Sequence, residues 1–213
     1  MVKNFVLAGI LILASYLAAQ DTKNIQLIPP DLSRGETFMK AVSERASAYE
    51  FDNAELSLQD ISDLLWAANG INRPEKGKRT APSAMNAQDI DIYVFMQEGV
   101  YFYNPKEHIL EFKVEGDHRD LIAGSQTFVM EAPFICLLVS DISRFNVGEK
   151  PLKLNWGAMD AGIVSQNINL FCAATGLVTR PRASMDVEKI TKLLSLSETQ
   201  YPMLNNPVSH KKN

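Results

Sequence analysis

The sequence predicts an α+β domain in which a mainly antiparallel central sheet is flanked by helices. Three observations carry this. Helical periodicity fills Leu58 to Asn69 and again Ala158 to Thr175. Strand patterns follow one another closely at Ile90 to Met96, Val100 to Asn104 and Ile109 to Val114, the first two joined by the turn Gln97-Glu98-Gly99. Helices and strands do not alternate strictly, as they would in a parallel, doubly wound sheet.

Taken in order, Asp21 to Leu32 is polar and contains proline, so it reads as an extended lead-in. Ser33, with Glu36 three positions later, forms a capping-box pattern that opens a helix running to Ser47. Tyr49 to Glu55, rich in Asp, Asn and Glu, is a loop. Within Leu58 to Asn69, Ile61, Leu64, Leu65 and Ala68 share one face, and Gly70 stands where a C′ glycine would. Asp117 to Glu131 reads as a helix with Leu121, Ile122 and Phe128 inward. Phe134 to Val139 carries no charge, which suits a central strand buried on both faces. Asp141 to Asn155, with Gly148 and Pro151, reads as irregular. In the long helix, Ile163, Gln166, Leu170 and Ala174 form the stripe of a buried helix. Leu177 to Arg180 is a further strand, and Val187 to Leu194 a last helix with Asp186 as its N-cap.

The 213 residues fit one domain with ample core, and 46% hydrophobic content is ordinary for a globular chain. A net charge of −4 without a basic run argues against nucleic acid as a partner. The three histidines and two cysteines have no metal-ligand spacing, so no metal site is expected. Cys136 and Cys172 read as core thiols, and they pair only if the fold brings them together. Residues 1–19 read as a signal peptide. Lys3 supplies the positive start, Phe5 to Leu17 the apolar stretch, and Ala18-Ala19 the small residues before Gln20. The stretch is short for a membrane span of roughly 30 Å. The expectation is export to the periplasm or cell exterior, a domain over 20–213, and no stable membrane insertion after cleavage; an uncleaved N-terminal anchor is the alternative.

Four segments carry the functional signal: Arg45-Ala46-Ser47, Arg79 to Gln88, Leu177 to Asp186, and Gln200 to His210. Arg45 is either a solvated charge at a helix end or a guanidinium that forks onto two phosphate oxygens. Arg79 to Gln88 is either a plain connection or a polar loop gripping a planar ligand. In their order and spacing the four segments resemble the FMN-dependent nitroreductase superfamily. They look most like its branch of short dehydrogenase domains related to those that oxidise azoline rings in peptides. The resemblance spans roughly Phe38 to His210.

It implies a nitroreductase-like fold, an intertwined homodimer with FMN between the subunits, and hydride transfer through flavin N5 in a ping-pong cycle. A small molecule or a peptide is the implied substrate. Arg45, Ala46 and Ser47 match the start of the family's phosphate motif. Tyr49 stands where a second basic residue is usual, which either weakens the phosphate site or moves the missing charge to Arg79, Lys211 or Lys212. Pro82, Ser83 and Asn86 match the loop that lies along the flavin, with Gln88 at a frequent polar position and Met85 in place of a small residue. The backbone N–H groups of Ala183 and Ser184 match those that face N5 and O4, with Arg180 and Arg182 nearby. A non-catalytic flavin- or small-ligand-binding protein on the same scaffold is the alternative, since Tyr49 and Met85 both depart from the pattern.

Overall fold

The computed structural model describes residues 23–212. The signal-peptide expectation for 1–19 and its junction at Gln20 lie outside the described residues. The strands are β1 (Ile25–Gln26), β2 (Ile71–Arg73), β3 (Lys78–Arg79), β4 (Ile90–Phe95), β5 (Gly99–Asn104), β6 (Ile109–Glu115), β7 (Phe134–Asp141), β8 (Leu177–Thr179) and β9 (Gln200–His210). The helices are α1 (Phe38–Glu44), α2 (Leu58–Asn69), α3 (Arg119–Ala123), α4 (Lys150–Thr175) and α5 (Val187–Leu193). Seven strands form one sheet in the order β1-β6-β5-β4-β7-β9-β8, and every neighbouring pair is antiparallel. β2 and β3 form a separate hairpin. The expected α+β architecture is what the chain adopts.

β7 explains the layering. Its side chains alternate, so Phe134, Cys136 and Leu138 join a core with α2 and α4, including Leu64, Leu65, Val164 and Ile168. Ile135, Leu137 and Val139 face the opposite core, with Ile122 of α3, Ile190 of α5 and Phe51. Each such aliphatic side chain contributes roughly 1.5–3 kcal/mol by leaving water. A strand buried on both faces has no place for charge, which is why the uncharged run was legible. Cys136 and Cys172 lie in the first core as free thiols, and burial pushes both well above the usual thiol range.

Five local expectations are corrected. The first helix begins at Phe38, not Ser33, because residues 31–36 are tied elsewhere. The Ser33 hydroxyl donates to Asp31 at 2.6 Å, Glu36 N–H donates to the Ala174 carbonyl at 2.9 Å, and Arg34 pairs with Asp60 and Asp63 of α2. Gly70 is extended (φ −73°), so it is not a left-handed cap; a Cβ there would run into Trp66. The helix expected over 117–131 is broken by Gly124 at φ +56°, and only a 3₁₀ turn, Thr127–Glu131, follows. α4 starts at Lys150 with Pro151 in its first turn, where a missing N–H costs nothing. Its buried face is Asp160, Ala161, Val164, Ser165, Ile168, Asn169 and Cys172, while Ile163 and Gln166 point outward. β9 is the fifth difference, a strand where no periodicity announced one.

Candidate functional site

Arg45 caps the end of α1, with its N–H donating to the Ala41 carbonyl. The chain then runs beside β8. Ser47 forms a parallel bridge with Thr179, and Ala48 N–H donates to the Thr179 carbonyl at 2.9 Å. Ala46, Thr179, Asn169, Cys172 and Lys211 line a cleft of about 510 Å³ here. The Arg180 guanidinium lies 4.5 Å from the centre of the exposed Tyr49 ring, a cation–π contact. Among the described residues, Arg45, Arg180 and Lys211 make no ion pair. Glu44 also lines this cleft, and Lys211 is the cation in its lining.

Arg79, expected as one source of the missing charge, does not supply it. It is turned inward, donating from Nε to Gln88 Oε1 at 3.1 Å and from Nη1 to the Ile90 carbonyl at 3.4 Å. Burial lowers its pKa, against the nearby Asp91 charge. The cation that reaches the following residues is Arg180, which donates from Nη1 to the Ala48 carbonyl at 3.5 Å and lies over Tyr49.

The loop from Pro82 to Gln88 lies along a different part of α4. Met85, Asn86 and Gln88 all have φ near +50°, where L-residues are strained by about 1 kcal/mol or more each. Specific bonds hold the loop in this shape. Gln88 N–H donates to Ser83 Oγ at 2.8 Å, and Ala84 N–H donates to both Asp160 oxygens at 3.1 and 2.8 Å. Gln88 also donates from Nε2 to the Gly77 carbonyl at 2.8 Å, so its amide braces the loop from within and is not offered to a ligand. Pro82, Met85 and Asn86 are exposed, and the Asn86 amide makes no hydrogen bond among the described residues. That leaves Asn86 able to donate and accept outward.

Beneath the loop is a buried polar group that motif reading did not assemble. Asp89 meets Asp160 of α4 and accepts from the Ser140 hydroxyl of β7 at 2.5 Å. Burial first, and then the Asp160 carboxyl, push Asp89 up to about 7, against the Ser140 bond, which favours the charged form. Arg144 donates to Asp91 at 3.0 and 2.5 Å and to the Gln88 carbonyl at 2.8 Å. Only the apolar flanks of Asp160 hinted at burial; its partner lies on another element. Glu131, the other carboxylate noted among apolar neighbours, is exposed.

Ala183 and Ser184 are exposed on the segment after Arg180. Arg182, between them and β8, is buried instead. It donates to Gln126, to the carbonyls of Ile122 and Ala123, and to Asn205 Oδ1, all within 3.1 Å. Its role is to anchor the segment.

Ala46 and Lys211 therefore line a cleft at the end of α4 near Gly176, with Ser47 beside them on β8, while Pro82 and Ser83 pack near Asp160 and Val164. The twelve positions from Val164 to Gly176 span about 18 Å of helix. One chain thus presents two separate groups of candidate residues.

A model of the nitroreductase family matches residues 42–208. A nitroreductase-like protein of Methanocaldococcus jannaschii is 31% identical over 201 residues, which is 90% of this chain and 98% of its own. The crystal structure of a nitroreductase-like protein from Ralstonia eutropha JMP134 aligns with a TM-score of 0.84 and 34% identity, over 90% of each chain. At 19% identity, the fold is also shared with a chain of the E. coli microcin synthetase McbBCD complex with truncated pro-MccB17 bound, with a TM-score of 0.69 over 80% of this chain and 70% of that one.

Proposed function

Because the chain belongs to the nitroreductase family and is an oxidoreductase of that type, we propose that it binds FMN and transfers hydride between two substrates in turn. The observation that carries this is the docking of the 45–49 segment on β8: Ser47 bridges Thr179, Arg180 lies over Tyr49, and Lys211 lines the adjoining cleft with Ala46 and Thr179. The donor set fits a phosphate. A guanidinium forks onto two oxygens, and the Ser47 hydroxyl adds a third donor. Asn86 fits the edge of a uracil-like ring, since its amide both donates and accepts. Backbone N–H groups at the exposed Ala183 and Ser184 would serve as further donors to the ring. FMN, when bound, supplies the redox chemistry itself by taking and passing on two electrons. The protein binds, orients and excludes water.

The two groups of residues lie on separate parts of α4, so a complete site calls for a second copy. Large apolar side chains stand in water on α1 and α4: Phe38, Met39, Val42, Met159 (59% exposed) and Ile163 (37%). Such patches mark association surfaces. We read the working form as a two-fold dimer in which each site takes its phosphate end from one chain and its Pro82–Asn86 loop from the other. The substrate is a small molecule or a peptide, and the chain is exported. A visible spectrum of purified protein tests the core of this reading. Flavin absorbance that bleaches with reductant and returns with an acceptor supports it. A colourless protein that takes up no added FMN refutes it, and flavin that cannot be cycled leaves the binding-protein alternative.

A further inference from the structure

The polar group beneath the Pro82–Gln88 loop has no part in that reading, and its geometry is unusual. Asp89 is fully buried at the start of β4, and Asp160 is buried in the middle of α4. The two carboxyl groups are neighbours, and Asp160 helps to hold a proton on Asp89. One proton must lie between two carboxyl groups so placed, because two bare anions at that range in a dry site repel strongly. The surrounding bonds say which group carries it. Both Asp160 oxygens already accept the Ala84 N–H. Asp89 Oδ1 meets no N–H or O–H donor from the described residues, whereas Oδ2 accepts from Ser140. That is the pattern of a carboxylic acid whose own O–H is the donor.

We propose that Asp89 and Asp160 are positioning residues, an acid–carboxylate pair that clamps the Ala84 end of the loop and so fixes where Pro82 and Asn86 present themselves to a ligand. The chain of contact runs from the Ser140 hydroxyl to Asp89, from Asp89 to Asp160, and from Asp160 to the Ala84 amide. Ser140 stands on β7 and Asp160 on α4, and Asp89, just before β4, is tied to β7 through its carbonyl, which accepts from Asp141 N–H at 2.9 Å. The loop is the yielding one, since it already holds three residues at positive φ. When Asp89 loses its proton, the repulsion is relieved by release of Ala84 and entry of water. Burial of Asp89 and the neighbouring Asp160 set that event near pH 7. The charges facing the pair are Arg144 beyond β7 and Arg79 on β3, with Asp91 on β4 and Asp141 on β7. Arg144 and Asp91 are bonded to each other, so they do not neutralise a second charge at Asp89.

The ligand served by this clamp rests on the FMN reading, but the clamp is measurable without any ligand. The test is amide hydrogen exchange at Ala84 in the folded, full-length protein, corrected for intrinsic rate, from about pH 6 to about pH 8, one unit either side of the Asp89 value. Protection should fall at least about tenfold across the range, the scale of losing one hydrogen bond to a charged group. Asp89→Asn keeps a donor toward Asp160 and an acceptor for Ser140, so its Ala84 protection should be high and flat with pH. Asp160→Asn should lose it throughout. The dissociation constant of added FMN should weaken about tenfold over the same pH span in wild type and stay level in Asp89→Asn. Flat wild-type protection, or Ala84 protection that survives Asp160→Asn, overturns the clamp. Clamp behaviour in exchange with no FMN binding at any pH leaves the clamp standing and removes the cofactor reading.

Discussion

Arg182 and Asn205 hold each other at three points. Their backbones exchange N–H···O bonds at 2.8 and 2.7 Å, and Arg182 Nη1 donates to Asn205 Oδ1 at 2.8 Å. The remaining donors of Arg182 reach Gln126 and two carbonyls of α3, so a buried cation is satisfied without a carboxylate. Asn205 in turn donates to the Ser184 carbonyl at 3.1 Å, which ties the exposed Ala183–Ser184 segment to β9.

Truncating this anchor leaves several buried acceptors unpaired at roughly 1–3 kcal/mol each. Arg182→Ala should therefore lower stability by about 3 kcal/mol or more in urea unfolding. Arg182→Lys should recover little, because one ammonium cannot reach both Asn205 and α3. A loss below about 1 kcal/mol for Arg182→Ala would mean the network has been misread.

The apolar face of α4 gives a second expectation. Light scattering should find a dimer in solution, with an interface above about 2,000 Å². Ile163→Asp places a charge on the exposed face of the single chain, so it should leave the fold intact, yield a monomer and abolish flavin retention. A dimeric Ile163→Asp variant would move the interface elsewhere.

Arg45 and Arg180 are expected to share the phosphate. Each to alanine should weaken FMN binding by about ten- to a hundredfold, the worth of one or two charge-assisted bonds. Arg45→Lys should regain only part, since an ammonium cannot fork. Dissociation constants that equal wild type for both alanine variants would dismantle the phosphate assignment.

Asp89 also sets a slope in stability against pH. Its pKa is about 7 when folded, against an ordinary 3.8, so the folded state binds the extra proton between those values. The contribution is complete below about pH 4 and is lost as pH rises through 7. Asp60 acts oppositely: burial raises its pKa, but Ser57 and Arg34 outweigh burial and lower it, so its contribution is lost as pH falls. Unfolding free energies of wild type should decline between about pH 5 and 7 more steeply than those of Asp89→Asn. Parallel profiles for the two proteins would count against a proton on Asp89.

Export is tested at the N-terminus. Protein recovered from its native host should begin close to Gln20. Material that starts at Met1 would end the export proposal.

Where packing obeys one period, the chain was readable. α2 has the expected bounds, and β4, β5 and β6 fall within a residue of their patterns. β9 was not readable, because Pro202, Asn205, Asn206 and Pro207 have the composition of a loop. They form a strand because β7 and β8 flank them and because Asn206 and Ser209 find partners there. The motif residues near Arg45 and Pro82 were visible as short patterns, and their grouping followed from the family resemblance. The Asp89–Asp160 pair was invisible, since each looks like an ordinary carboxylate until β4 and α4 are docked. Arg180 and Arg182 read alike in sequence, yet one lies over the exposed Tyr49 ring and the other fills the space under α3.

The position of β9 has a consequence for how the protein comes into being. Emerging from the ribosome, β7 and β8 exist before the strand that separates them, and neither can pair with the other in the native sheet. Until residue 210 is free, the inner edge of β7 stands open, with its uncharged backbone groups unpartnered on that side. Long-range closure of this kind is slow, and an open apolar edge invites wrong partners. Newly made chains are thus at their most vulnerable just before synthesis of β9 is complete, and shortening the segment beyond Leu204 should produce aggregation during expression in place of a soluble, weakened enzyme.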